Sequence, residues 1–284
     1  MFKIGVMLES FRLSLEESIQ AAAALNIDGI QLYATGGETH FSKLQGAKLE
    51  AFRHQLSDAG LEVAAVCGDF GGHGFALASE NTPKIAKTQQ VIDLAKKLNS
   101  SVVTTHIGVI PSDPSHPRYA LMQAACKEIG RYAHDLGITL AIETGPEPAK
   151  VLRMFLDDLG PDSGVGVNFD PANLVMVCRE DIPQAVETLA PYIVHTHAKD
   201  GCNLKELDPE ILYGVFAGDP APSGFSIEDV ILETPLGEGE VPFQDYLHAL
   251  RTHGYTDGYL TIEREVGEHP QQDIATAVNF LRKL

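Results

Sequence analysis

No stretch of 18 consecutive apolar residues occurs in this 284-residue chain, so it offers no segment for a membrane-spanning helix. The opening "MFKIGVMLES" has neither the long apolar core nor the small-residue cleavage site of a secretory signal, and a cytoplasmic location is expected. Cysteine is sparse: Cys67, Cys126, Cys178 and Cys202 form no C-x-x-C pair, which excludes a zinc knuckle or a redox dithiol. Basic residues are few. With 21 Lys plus Arg against 39 Asp plus Glu the net charge is −18, which opposes non-specific attraction to nucleic acid or anionic lipid. G-x-G-x-x-G and the Walker A pattern are both missing, so the common nucleotide-phosphate loops are absent too.

What the chain does contain is a regular alternation. At 44% hydrophobic it can bury one large core. Eight short β-type runs lie at 2–8, 28–34, 61–67, 101–107, 138–143, 164–170, 192–198 and 258–263. Amphipathic helical patterns separate them; the first opens on a Ser14/Glu17 capping box, and others read "TPKIAKTQQVIDLAKKLN", "RYALMQAACKEIGRYAHDLG" and "FQDYLHALRTHG". Several end in Gly before the next strand, as a left-handed C-cap requires. Eight β/α units predict a (β/α)8 TIM barrel, with residues 1–284 as one catalytic domain and a doubly wound open sheet as the competing architecture. The connection 199–242 is too long for a simple turn and is expected to carry functional structure.

In such a barrel the C-terminal strand ends form the active-site mouth. Strand five ends in Glu143, strand six in Asp170, strand seven carries His197 near its end, and strand eight ends in Glu263. Any one acidic residue closing a strand is commonly a cap or a solvated charge. Three carboxylates and an imidazole at one level are another matter, because close buried carboxylates raise one another's pKa unless a cation neutralises them. The oxygen-rich set predicts one divalent ion, manganese first, with magnesium or cobalt as alternatives to a structural zinc.

The segment "VHTHAKD" repays a closer reading. Side chains alternate along a strand, so His195 and His197 face the same barrel interior one layer apart. His197, nearer the mouth, is the ligand candidate; His195 is either outer support for a ligand or a satisfied core histidine. Further substrate-binding candidates surround the mouth. His106 ends strand four, Glu9 closes strand one, Asn173 follows Asp170, and Lys199 and Arg264 flank the metal candidates, although surplus acids could equally engage both cations. The glycine-rich "GDFGGHGF" after strand three reads as a candidate mobile lid that could bring His73 inward, while "GEGEVP" reads as an architectural turn.

Glu143, "NFDPANL", "HTHAKD", "PLGEGEVPF" and "TIERE", in that order, make the chain resemble the sugar phosphate isomerase/epimerase superfamily with its xylose isomerase-like TIM barrel. The resemblance spans nearly the whole chain. It implies a catalytic divalent metal on Glu143, Asp170, His197 and Glu263, two glutamates acting as acid and base on a keto-sugar or sugar phosphate, and homo-oligomers. Ketose 3-epimerases of that superfamily carry a His, a Glu and an Arg where this chain has Asn173, Ala149 and Asn203, so the resemblance stops short of a free ketohexose.

The chemistry follows from the groups themselves. A C–H proton beside a ketone is too weakly acidic for a free carboxylate to remove quickly, and a metal at the carbonyl oxygen lowers that barrier. Opposite-face proton return gives epimerisation, transfer to the neighbouring carbon gives isomerisation, and loss of a β-hydroxyl gives dehydration. A metal-dependent sugar isomerase or epimerase is the expected function, and a keto-sugar or inosose dehydratase the alternative. Endonuclease IV shares the barrel, and His73 and His106 could supply two of its extra ligands. Asn173 in place of a needed His, the lack of D-x-H after "HTHAKD" and the charge of −18 all argue against DNA. A non-enzymatic sugar binder would have to keep converging carboxylates without a cation, at high cost. The expected partner is therefore a small sugar, with no nucleic acid and no membrane.

Overall fold

The computed structural model describes residues 2–284. Strands β1 (Lys3–Met7), β2 (Gly29–Tyr33), β3 (Glu62–Cys67), β4 (Val102–Thr105), β5 (Thr139–Glu143), β6 (Val165–Phe169) and β7 (Ile193–Ala198) come in chain order. They are followed by β8 (Asp200–Asn203), β9 (Ile231–Thr234) and β10 (Tyr259–Ile262). A closed parallel barrel runs β1-β10-β7-β6-β5-β4-β3-β2, while β8 and β9 pair antiparallel outside it. All eight expected barrel strands are present, the last being β10. An outer helix follows each, from Leu15–Ala24 after β1 to Pro270–Leu281 after β10. The Ser14/Glu17 capping box forms, and Gly60 and Gly137 take the left-handed φ of 69° and 70° that lets the chain turn back to a strand. One helix begins earlier than expected: it spans Ala78–Lys97 with Pro83 inside it, and Asn81 in its first turn donates to Phe75 O at 3.1 Å.

The main core lies between strands and helices, where Ile92, Leu94, Ile129, Phe155, Leu156 and Phe169 are fully buried. Each contributes roughly 1.5–3 kcal/mol by leaving water. The barrel interior is different, because polar side chains meet there. Gln31 Nε2 donates to Thr104 Oγ1 at 3.1 Å, and Gln31 Oε1 lies 2.9 Å from His195 Nε2 and 3.2 Å from His197 Nε2. Below them the Tyr259 ring fills the space left by Gly5 and Gly29, where an added Cβ would come within 3.3 and 2.9 Å of that ring.

The long connection after β7 holds the β8–β9 hairpin and the helix Pro209–Phe216. Its return is anchored on one buried carboxylate. Asp200 Oδ1 accepts from the backbone N–H of Gly201 and Val241 (2.9 and 3.1 Å), and Oδ2 from Gly237 and Gly239 (2.9 and 3.0 Å). A Cβ at Gly239 would lie 2.2 Å from Asp200 Oδ1, so the "GEGEVP" turn is built around an acid of its own chain.

Candidate active site and metal centre

Four side chains converge at the C-terminal mouth. Glu143, Asp170, His197 and Glu263 each offer a ligand atom, and these atoms all lie within 4.8 Å of one another, buried. His197 Nδ1 is the central donor: it lies 3.2 Å from Asp170 Oδ2, 3.4 Å from Glu263 Oε2 and 3.7 Å from Glu143 Oε1. Every member is held by a second bond. Asp170 caps the short turn behind it, its Oδ1 accepting from Asn173 N at 2.9 Å while Oδ2 faces the centre. Asn168 Nδ2 donates to Glu143 Oε2 (3.1 Å), Asn173 Nδ2 to Glu143 Oε1 (3.0 Å), and Lys199 Nζ to Glu263 Oε2 (2.9 Å). After Asn173 the chain passes into a π-helical turn, Leu174–Cys178, of the kind frequent beside functional sites.

The two histidines share one glutamine. Gln31 Oε1 can only accept, so Nε2 of both His195 and His197 is assigned as N–H towards it, and Asn168 Nδ2, which also lies 3.2 Å from His197 Nε2, donates to Glu143 Oε2 instead. His197 thus turns Nδ1 to the carboxylates. His195 hydrogen-bonds Gln31 and Thr261 rather than any of the four, so its support of His197 passes through the amide and through the edge-on ring pair the two histidines form at 6.0 Å between centroids. Burial, aided by His197, holds His195 well below the usual imidazole range, and it is neutral. An unprotonated Nδ1 lone pair facing three carboxylate oxygens is repulsive, so the geometry calls for a proton or a cation between them. Three oxygen donors and one nitrogen fit a divalent ion of the manganese, magnesium or cobalt type.

Electrostatics separate the two glutamates. Burial pushes Glu143 up to about 7, with Glu263 and Asp170 adding to that against the pull of His106 and His197. Burial also pushes Glu263 up, but Lys199 and His197 outweigh it and hold the carboxyl below its ordinary range. Lys199 is itself 3% exposed between Glu263 and Glu265, which overcome the desolvation and keep it charged.

A cavity of about 330 Å³ opens onto the cluster, lined by Tyr33, Asp69, His106, Glu143, Asn173, Lys199, Tyr213, Phe216, Glu263 and Glu265 together with Gly71, Gly72 and Gly74. Of the expected substrate-binding residues, His106, Asn173 and Lys199 are at this cavity. His106 stands between Asp69 Oδ2 (3.2 Å from Nδ1) and Glu143 Oε1 (3.7 Å from Nε2); burial pulls it down, but Glu143 and Asp69 raise it to about 10. Glu9, His73 and Arg264 are elsewhere. Glu9 Oε1 accepts from Tyr33 N at 3.0 Å, and Glu9 lines neighbouring clefts. Arg264 is spent on Glu233 (2.6 Å) and Asp273 (2.9 Å). His73 pairs with Asp219 at 3.1 Å, outside this cavity, and among the described residues the four-residue cluster is the metal-capable group found. The glycine-rich loop is fastened rather than loose: Gly71 N donates to Asp69 Oδ1, Phe75 N to Ile107 O, and Lys84 Nζ to Gly74 O, all within 2.8 Å. A Cβ at Gly74 would collide with the Ile107 carbonyl at 2.2 Å.

Sequence reasoning missed Gln31, Asn168, Asp69, Tyr213, Phe216 and Glu265. The first two carried a signal: each is a lone amide in an otherwise apolar strand on the face of the ligand positions. Asp69, two past the end of β3, could have been found by the strand-end argument that found Asp170.

A closed parallel barrel with an acid-rich centre at its C-terminal mouth defines an enzyme of the metal-capable TIM barrel class. The chain belongs to the xylose isomerase-like TIM barrel family, whose model matches residues 19–284. Among solved structures it is similar to a xylose isomerase domain protein from Planctomyces limnophilus, with 25% identity, a TM-score of 0.79, and 99% of this chain and 96% of that one covered. It is also similar in fold to a probable 3-DHS dehydratase involved in petrobactin synthesis from Bacillus anthracis (20% identity, TM-score 0.75, 99% of each chain). A D-psicose 3-epimerase solved in the presence of D-fructose shares the fold as well (19%, 0.73, 99% of each chain). Comparison with curated proteins gives no match. Among the described residues no helix is long and apolar enough to cross a membrane.

Proposed function

We propose that this protein is a divalent-metal-dependent sugar isomerase or epimerase that moves a proton beside the carbonyl of a keto-sugar or sugar phosphate. One observation carries the reading. Of the four converging residues, Asp170 and His197 are completely buried, whereas Glu143 and Glu263, at 7% and 5% exposure, also line the cavity. Only the two glutamates can both hold an ion and reach a substrate. In this reading Glu143, Asp170, His197 and Glu263 hold one ion, manganese first, which when bound would polarise the carbonyl and offset the charge that develops as the adjacent proton leaves. Glu143 and Glu263, from strands three apart around the mouth, take and return that proton. Asn168 and Asn173 orient Glu143, Lys199 orients Glu263, and His106, backed by Asp69, donates to a substrate hydroxyl. That same His106 supports a second reaction, since loss of a β-hydroxyl needs an acid beside the base.

The test is isotopic. Glu143→Gln and Glu263→Gln each keep an oxygen but remove the proton acceptor, and each should lower turnover by roughly a hundredfold or more. One variant should still exchange the substrate's α-hydrogen with deuterium oxide, starting from only one of the two epimers. Proton NMR on a panel of ketoses, aldoses, inososes and their phosphates reads this directly, and an enone product would shift the assignment to dehydration. Wild-type turnover with no solvent deuterium at the inverted carbon would overturn the two-base mechanism.

A further inference from the structure

Resting on that reading of the site, we infer that its substrate is an uncharged polyhydroxy ketone, bearing neither phosphate nor carboxylate, with one C–H face against Phe216 and Tyr213. The charge around the cavity carries the first half. Asp69, Glu143, Glu263 and Glu265 line it, with Asp170 directly behind. Those five carboxylates face Lys199, His106 and at most the two charges of a divalent ion, so a filled centre still leaves the site with at least one negative charge in excess. Both cations at the cavity have carboxylates beside them: Lys199 is bonded by Glu263 and Glu265, and His106 is bonded at Nδ1 by Asp69 with its Nε2 3.7 Å from Glu143, open to a substrate hydroxyl. Among the described residues no arginine lines it. The adjoining cleft contains two, but Arg264 is paired with Glu233 and Asp273, and Arg12 donates to the carbonyls of Gly267 and Glu265, both at 2.6 Å. A phosphate ester would find no cation there without a carboxylate already beside it, and would add its charge to a site in which carboxylates are in excess. At a few ångströms in a part-buried site, such repulsion costs at least roughly tenfold in affinity per close pair.

Aromatic rings carry the second half. Phe216, at 50% exposure, ends the helix Pro209–Phe216 at the cavity, with its ring 5.6 Å from that of Tyr213 in an edge-on pair. The helix is held at both ends, by Arg118 with Glu210 and by His73 with Asp219, so the ring is presented rather than frayed. A phenylalanine left open at a polar cavity suits a ligand that has hydroxyls for the carboxylates on one side and C–H groups for the ring on the other. An uncharged sugar has both surfaces, and a phosphoryl group has neither.

The test compares neutral ketoses and inososes with their own phosphate esters on the metal-loaded protein, following kcat/KM by proton NMR in deuterium oxide. In each pair that turns over, the neutral member should be favoured by on the order of a hundredfold at low salt, with the gap narrowing at high salt as the repulsion is screened. Glu265→Gln should narrow the same ratio by roughly tenfold. Phe216→Ala should raise KM for the neutral substrate several-fold with little change in kcat, and Phe216→Tyr should restore it. Preference for a phosphate ester, or a ratio indifferent to salt and to Glu265→Gln, overturns the inference while leaving the proton-transfer chemistry standing. Phe216→Ala with an unchanged KM overturns the placement of the sugar face. Solvent exchange with no member of either series overturns the functional reading and this inference together.

Discussion

Glu147→Gln should stabilise the folded protein, and by an amount that grows with pH. Glu147 is 4% exposed in the loop after β5 and forms no ion pair within 4 Å among the described residues. Its Oε2 accepts one hydrogen bond, from Ile110 N at 3.1 Å. Burial therefore pushes its carboxyl from 4.5 to about 8, against weaker help from the Ile110 bond and His106. Between those two values the folded chain keeps a proton that the unfolded chain has lost, so the slope of stability against pH is negative there. Stability from this group is complete at acid pH, falls by about 1.4 kcal/mol per pH unit above 4.5, and stops falling above about 8. The full span is about 4 to 5 kcal/mol. Glutamine keeps the Ile110 acceptor and has nothing to titrate. Denaturant unfolding of wild type and variant from acid to alkaline pH isolates the effect, because the other groups cancel in the difference. A difference that is flat with pH, or a variant that is uniformly weaker, would refute the reasoning.

Three further outcomes are expected. Chelation should remove activity while leaving the barrel folded by circular dichroism, and His197→Ala should weaken manganese binding, measured against a competing chelator, far more than His195→Ala, whose role through Gln31 is worth roughly 10- to 100-fold at most. Equal losses would move the ligand assignment away from His197. Asp200→Ala strips the acceptor from four backbone N–H groups at once and should cost about 2–4 kcal/mol in denaturant unfolding, with Asp200→Asn falling between.

How far the sequence disclosed this molecule depended on the range of the interactions involved. Strand alternation and strand-end position are local properties, and they located Glu143, Asp170, His197 and Glu263 and the layer difference between His195 and His197. Arg264 shows the limit. Beside Glu263 in sequence it could reach a substrate or pair with a surplus acid, and the acid that takes it, Glu233, comes on the β8–β9 hairpin, which nothing local to "TIERE" announces. Phe216 and Tyr213 were invisible for the same reason: their place over the mouth is set by Arg118–Glu210 and His73–Asp219, pairs separated by 92 and 146 residues. The glycine-rich loop looked mobile from composition, whereas its backbone and the Lys84 ammonium bind it down.

The same distinction explains why the centre can be precise before any ion arrives. Three of its four members give one atom to the centre and another to a neighbour, Glu143 to Asn168, Asp170 to the Asn173 backbone N–H and His197 to Gln31, while Glu263 shares one oxygen between the centre and Lys199. Asn168 on β6, Asn173 just after it and Gln31 on β2 belong to the barrel wall, so the barrel that brings the ligands together also sets their rotamers. Lys199 is the exception, since it leads directly into Asp200 and the wrapped turn at 237–241. Lys199, the cation beside Glu263, is thereby tied to the long insertion, and that insertion also carries the aromatic face of the cavity. Changes in the insertion should accordingly alter substrate preference and the behaviour of Glu263 together, while the Glu143 side of the mouth, fixed by Asn168 and Asn173, stays as it is.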